Sequence, residues 1–315
     1  MGAYILRRLF HSVIVLFIIS IVTFALIKAA PGGPGLLMDP TLTPQDREKM
    51  AEGLGLNDPV PVQYIKWVSN AVQGDFGRSI MQKRPVMDLI TERIPATIEL
   101  AGAGLALAVV TGIPLGLIAA RRANSIWDRL IVLLGTLGIA IPGFWFAILL
   151  IILFSVQLGW LPSAGRMTIG DGSAIDRIQH LILPTLVIAL YSLAQLTYFT
   201  RSSMLEVLRA DYIRTARTKG LTERVILVRH ALRNGLIPVV TMLGLMIPRL
   251  VGGAVITETV FGWPGMGRLA ADAAFQRDYP VIMGITIVIS AIVIVSNLLT
   301  DLAYSLIDPR IQLGR

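Results

Sequence analysis

Long apolar runs separated by short polar stretches dominate the chain: Leu9–Ile27, Ala96–Ala120, Leu130–Val156, Leu181–Phe199, Leu236–Ile256 and Val281–Leu306. Each reaches the roughly 17–25 residues needed to cross a ~30 Å hydrocarbon core, so the pattern predicts six transmembrane helices. Leu9–Ile27 follows Arg7 and Arg8 and exceeds the roughly 7–15-residue core of a signal peptide. It reads as a retained anchor despite the cleavage-like Ala29-Ala30. Between the first two runs, Pro31 to Pro95 is punctuated by Pro and Gly and holds two expected helices. Thr43-Pro44 before Asp46 has the form of an N-cap with proline at the first helical position. From about Val62 to Val72, the residues Ile65, Val68 and Val72 share one helical face, which needs cover from the spans or another subunit. A small external cap packed on the bundle is expected.

Charge assigns direction. The chain is 54% hydrophobic and 15% charged, against roughly 25% charged in a soluble domain, so its charges carry topological information. With the N-terminus inside, residues 1–8, 121–129, 200–235 and 307–315 are cytoplasmic, and they hold 15 of the 28 Lys and Arg. Most of the remainder lies in or beside the long external segment, which orientation rules discount. Both termini are expected in the cytoplasm. The net charge of +8 is spent at span ends, so no nucleic-acid partner is expected. The expected divisions are 1–30 (cytoplasmic end and first span), 31–95 (external segment), 96–308 (a five-helix core with a cytoplasmic loop at 201–234) and 309–315 (tail).

Candidate chemistry is sparse. Cysteine is absent and His11, His180 and His230 have no ligand spacing, so no metal centre is expected. No Gly-x-x-x-x-Gly-Lys-[Ser/Thr] loop occurs, so the chain does not hydrolyse nucleotides in the P-loop manner. Gly262-Trp263-Pro264-Gly265-Met266-Gly267 follows a span and reads as a tight turn at the outer face. Gly112-x-x-x-Gly116 reads as close helix packing. Among polar residues inside spans, Arg249 stands out, either facing a pathway or paired with Glu258 or a partner's acid. Gln195, Tyr198 and Asn297 either line a pathway or hydrogen-bond a neighbouring helix.

Arg201 to Asn234 is too long for a connector. It carries eight basic residues against Glu206, Asp211 and Glu223, and Leu205, Leu208, Tyr212 and Ala216 recur at helical spacing until Gly220 breaks the helix. Two readings fit: a solvated positive anchor, or a helix–turn–helix docking into a cytosolic protein.

The motif from Asp211 to Leu221, followed by Arg229 to Asn234 and Leu236-Ile237-Pro238, resembles the EAA loop of ABC-importer permeases, specifically the dipeptide/oligopeptide/nickel branch. Gly53 to Leu56, Pro61 to Tyr64, Gly74 to Ser79, Arg84-Pro85-Val86, Arg93 to Thr97 and Phe261 to Arg268 are similar to that branch too. Arg214 and Thr215 depart from the general EAA pattern, and Gly33 stands where the branch usually has Asp. The resemblance implies an all-α polytopic membrane protein with six transmembrane helices, a type I ABC-importer permease fold and a small external helical segment.

It further implies a heterodimer with a second permease, two cytosolic ATPase subunits, an external solute-binding protein, and a bacterial or archaeal inner membrane. The chain itself would carry no cofactor, with ATP and Mg in the partner ATPases. Asp211, Tyr212, Thr215, Ala216, Lys219, Gly220 and Leu221 would form the ATPase-coupling face, with Thr215, Ala216 and Gly220 as close contacts. The solute is left open within the branch: dipeptide, oligopeptide, nickel complex or another small molecule. The rival classes are a secondary transporter or channel, which would show inverted repeats and paired intramembrane acids, and a membrane scaffold.

Overall fold

A computed structural model describes residues 2–31, 33–35, 43–53 and 55–307. The helices α1 (Gly2–Ala29), α4 (Val86–Arg121), α7 (Ala174–Arg209) and α13 (Tyr279–Ile307) are each long and apolar enough to cross a membrane. Six spans result if each of two bent pairs is counted as one. The first pair joins α5 (Ile126–Ala140) to α6 (Gly143–Leu150) and its π-helical continuation Ile151–Gln157, with a bend of 102°. The second bends by 43°. It joins α9 (Glu223–Val225), π-helical Ile226–Ala231 and α10 (Leu232–Gly235) to α11 (Ile237–Val260).

The 102° bend corrects the expectation of one continuous span over Leu130–Val156. Ile141 is extended (φ −76°, ψ 123°) and Pro142 has no N–H to continue the helical ladder. Pro184 and Pro248, by contrast, sit inside the continuous α7 and α11.

The contacts divide the chain into two compact units, 1–97 with 264–295, and 98–263 with the end of α13 from Ser296. In the first unit the external helices α2 (Pro44–Gly53) and α3 (Val60–Val72) form as expected. The Thr43 hydroxyl accepts from the Asp46 N–H at 3.2 Å. Of the two covers expected for the aliphatic face of α3, this chain's own spans do not supply one for Ile65 and Val72, which are 65% and 83% exposed, whereas Tyr64 packs edge-on against Phe17 and Phe24 of α1 and bonds the Ser20 hydroxyl at 2.8 Å. An aromatic ring with a polar tip fills that contact better than the smaller aliphatic side chains. Asp278 accepts the Ile80 and Met81 N–H groups at 3.1 and 3.2 Å, which pins the loop before α4. α12 (Met266–Gln276) starts where the Thr97 hydroxyl accepts the Met266 N–H at 2.8 Å.

The turn after α11 is tight, with Gly262 at φ +58°, but it is not superficial. Phe261, Trp263 and Met266 are fully buried, so the tight turn expected there is anchored by its own side chains. Within the second unit Phe261 packs on Ala147, Leu150, Leu183 and Val187. Its carbonyl accepts the Gly165 N–H at 2.8 Å.

The same unit is built on α4 against α7. A methyl group on Gly104 would meet the Ile188 side chain at 2.3 Å, and one on Gly116 would lie 2.6 Å from the Thr197 carbonyl oxygen. The Gly112–Gly116 pair therefore serves close helix approach. The Thr197 hydroxyl donates across that contact to the Gly112 carbonyl at 3.3 Å.

Candidate functional site

The stretch between α7 and α11 forms a compact platform. The chain leaves α7 at Arg209, turns through extended Ala210 (φ −67°, ψ 148°) and enters α8 (Asp211–Thr218). That break corrects the single helix expected to run from Leu205 to Ala216. Ile213 and Ala216, three residues apart and so on one face, are buried on Met204, Ala120, Ile226, Leu227 and Ala231. Leu205 and Leu208 pack on the same cluster. Of the apolar stripe, Leu205, Leu208 and Ala216 are thus consumed inside the chain, whereas Tyr212 stays exposed. Ala216, read above as a close partner contact, points its methyl inward, because burial on its own core is the nearest way to remove it from water.

The outward face is mostly polar. Asp211, Tyr212, Arg214, Thr215, Arg217, Thr218, Lys219, Gly220 and Leu221 are all exposed. The helix ends in a Schellman arrangement: the Leu221 N–H reaches the Ala216 carbonyl at 3.3 Å and the Gly220 N–H reaches the Arg217 carbonyl at 2.9 Å. Gly220 supplies the left-handed residue (φ +77°), and a side chain there would meet nothing within 4 Å.

Three polar contacts brace the platform. The Asn234 amide donates to the Tyr212 hydroxyl at 3.1 Å, the Ser203 hydroxyl donates to the Gly235 carbonyl at 2.7 Å, and Arg217 Nε bonds Glu223 at 2.8 Å. The Glu223 carboxylate beside Arg217 holds that guanidinium protonated, raising its pKa. Above the platform, Arg201 grips Asp128 with Nε at 2.6 Å and Nη2 at 2.8 Å. The Asp128 carboxylate also accepts the Asn124 N–H at 2.8 Å. This clamp ties the turn before α5 to α7, and spacing gave no sign of it, because its partners lie far apart in the chain.

Deeper in the same unit, a cavity of about 480 Å³ opens beside the break between α5 and α6. Its lining includes Pro142, Gly143, Phe144, Tyr191, Ser192 and Thr257. Non-helical backbone at membrane depth is tolerated where it is covered by protein or faces a wet cavity. Of the expected pathway residues whose side chains are described, none is among the residues lining this cavity. Gln195 donates to the Tyr191 hydroxyl at 2.7 Å and so supports a lining residue. The Tyr198 hydroxyl donates to the Val132 carbonyl at 2.6 Å, the helix-to-helix role. Asn297 is half-buried on α13. Glu258 is fully buried next to Thr257, with its carbonyl accepting the Trp263 N–H at 2.8 Å. The side chain of Arg249, and with it any pairing to Glu258, lies outside the described residues. Tyr191 and Ser192 were missed by the sequence reading, although they are hydroxyl-bearing residues in an apolar run one turn before Gln195. Among the described residues no cluster of His, Asp or Glu could hold a metal ion.

Comparison with known proteins accords with this architecture. Residues 112–313 match the family described as binding-protein-dependent transport system inner membrane component, and residues 1–101 match the N-terminal family of the same systems. The chain is 50% identical over 315 residues to the oligopeptide transport system permease protein AppB of Bacillus subtilis, covering 99% of this chain and 100% of that one. It is 46% identical to a putative peptide permease protein of Brucella suis, covering 98% of each chain. A probable peptide ABC transporter permease protein of Sinorhizobium fredii is 42% identical, with 99% and 100% covered. Among solved structures, an inward-facing MetNI methionine ABC transporter aligns with a TM-score of 0.58 at 16% identity, over 70% of this chain and 97% of that one. An amino acid ABC transporter solved with histidines aligns at 0.53 and 17%, over 71% and 95%. These two show a shared fold. The chain therefore belongs to the binding-protein-dependent transport system inner membrane components, and it is a membrane-spanning permease subunit of an ABC importer.

Proposed function

We propose that this permease pairs with a second, homologous permease to carry oligopeptides or related small solutes, driven by two cytosolic ATPase subunits and fed by an external solute-binding protein. The observation that carries the reading is α8, which buries Ile213 and Ala216 on its own platform and leaves an exposed, mostly polar face ended by a left-handed glycine. A rigid, braced helix of this kind can pass a partner's movement to α7, from which it hangs. ATP and Mg belong to the partners, this chain holds no cofactor, and both of its termini face the cytoplasm of a bacterial or archaeal cell. Tyr212, Thr215, Lys219, Gly220 and Leu221, with Asp211, meet the ATPase. The cavity beside Pro142 is the chain's share of the pathway, and the names of the peptide-transport relatives support a peptide solute.

Proteoliposomes containing this chain with its second permease, ATPases and binding protein should take up labelled oligopeptide only when ATP is supplied. Uptake driven by an ion gradient without ATP would overturn the reading. Within that assay Gly220→Trp should insert normally yet lose most ATP-coupled uptake, because the indole projects into the docking face. Gly220→Asn, which tolerates the left-handed conformation, should keep it. Equal uptake by both variants would remove Gly220 from the coupling face.

A further inference from the structure

We propose that the first unit holds an anionic phospholipid, headgroup first, in a pocket at the end of α1. The pocket measures about 220 Å³ and lies among the end of α1, the loop before α3, α3 itself and the start of α13. Its wall is mostly hydrocarbon, from Phe24, Leu56 and Met283 among others. Two donors lining it, Trp67 Nε1 and Tyr279 Oη, are enclosed and hydrogen-bond to nothing. An enclosed donor without an acceptor is costly, so an acceptor from outside the chain is implied.

The third polar group is Lys28, whose ammonium reaches Gln63 Oε1 and lies 5.6 Å from the centre of the Phe24 ring. The remaining charges on the rim, Lys66 and Asp58, neutralise each other at 2.7 Å. Lys28 therefore leaves a net positive charge on the lining that also carries the two orphan donors, a set that matches phosphodiester oxygens.

Water alone is a poor occupant. Water can accept from the two donors but leaves the mostly apolar wall without a partner, whereas an acyl chain covers it. An amphiphile satisfies both halves of the pocket. The apolar wall continues along α1, where Phe17, Val22 and Leu26 are at least half exposed and can face acyl chains. Lys, Trp and Tyr at the end of a span also match the composition of a membrane interface.

The full-length chain, purified in dodecyl maltoside and titrated with phosphatidylglycerol, can be followed by native mass spectrometry. It should retain one lipid tightly. The double variant Trp67→Phe/Tyr279→Phe keeps both rings, removes both donors, and should weaken that binding at least about tenfold, the loss expected for two hydrogen bonds of ordinary strength. Lys28→Gln alone should erase the preference for phosphatidylglycerol over phosphatidylcholine. Undiminished binding by the double variant overturns the proposal, as does equal affinity of the unaltered chain for phosphatidylcholine. Glycerol 1-phosphate binding as tightly as the lipid would make this a site for a free phosphate ester and would equally overturn it.

Discussion

Gly116→Leu should cost the permease about 3 kcal/mol or more and destroy its transport, since overpacking a tight contact typically costs ~1–3 kcal/mol even where side chains can yield. Here they cannot. A Cβ on Gly116 would lie 2.6 Å from the Thr197 carbonyl oxygen, 2.6 Å from Thr200 Cβ and 3.1 Å from the Arg201 nitrogen, so two of the three obstacles are backbone. α4 and α7 would have to separate, and α7 carries both the cavity lining and the lead into α8. Even Gly116→Ala should lower the melting temperature in detergent, although alanine is the better helix former by about 1 kcal/mol. Gly102 on the same helix is the control: a Cβ there meets nothing within 4 Å, so Gly102→Ala should be neutral or slightly stabilising. If the two alanine variants melt together, the close-contact account fails.

Breaking the Asp128–Arg201 clamp should be nearly as damaging. The Asp128 side chain is 4% exposed and that of Arg201 27%. Removing one member of a buried pair commonly costs about 3–5 kcal/mol because a charge is left uncompensated. With Arg201 partly open to solvent, about 3 kcal/mol is expected for Asp128→Asn, and somewhat less for Arg201→Gln, which leaves Asp128 its Asn124 N–H. The double variant should cost less than the sum of the singles, since neither orphaned charge remains. Melting curves of the four proteins close that cycle, and strict additivity would show that the bond stores no coupling. Loss of the clamp also frees the turn before α5 from α7, so ATP-driven uptake should fall further than stability alone accounts for.

Much of this was legible without coordinates. The six apolar runs locate the spans, because transfer from water to hydrocarbon is summed over a local window and needs no knowledge of neighbours. The loop from Asp211 to Leu221 carries its own signature, and Gly220 marks a helix end by a local backbone requirement, which the left-handed φ of +77° bears out. The N-cap at Thr43 and the close packing at Gly112 and Gly116 are similarly local.

What tertiary structure decided is which face and which partner. Pro142, Pro184 and Pro248 look alike within apolar runs, yet only Pro142 breaks its helix, while the other two are carried inside α7 and α11. A missing hydrogen bond can be absorbed or exploited according to what surrounds it, and that is not written beside the proline. The α3 helix offers an aliphatic face and an aromatic one, and only the position of α1 selects Tyr64 over Ile65 and Val72. The stripe ending at Ala216 was equally ambiguous. A helical apolar period says that something must cover those residues, but much of the cover comes from side chains ten or more positions beyond Ala216, in Ile226, Leu227 and Ala231. Sequence determined the spans, the family and the loop between α7 and α11; long-range packing, whose energy depends on pairs of segments rather than on either alone, decided which side chains of that loop turn inward and which stay exposed.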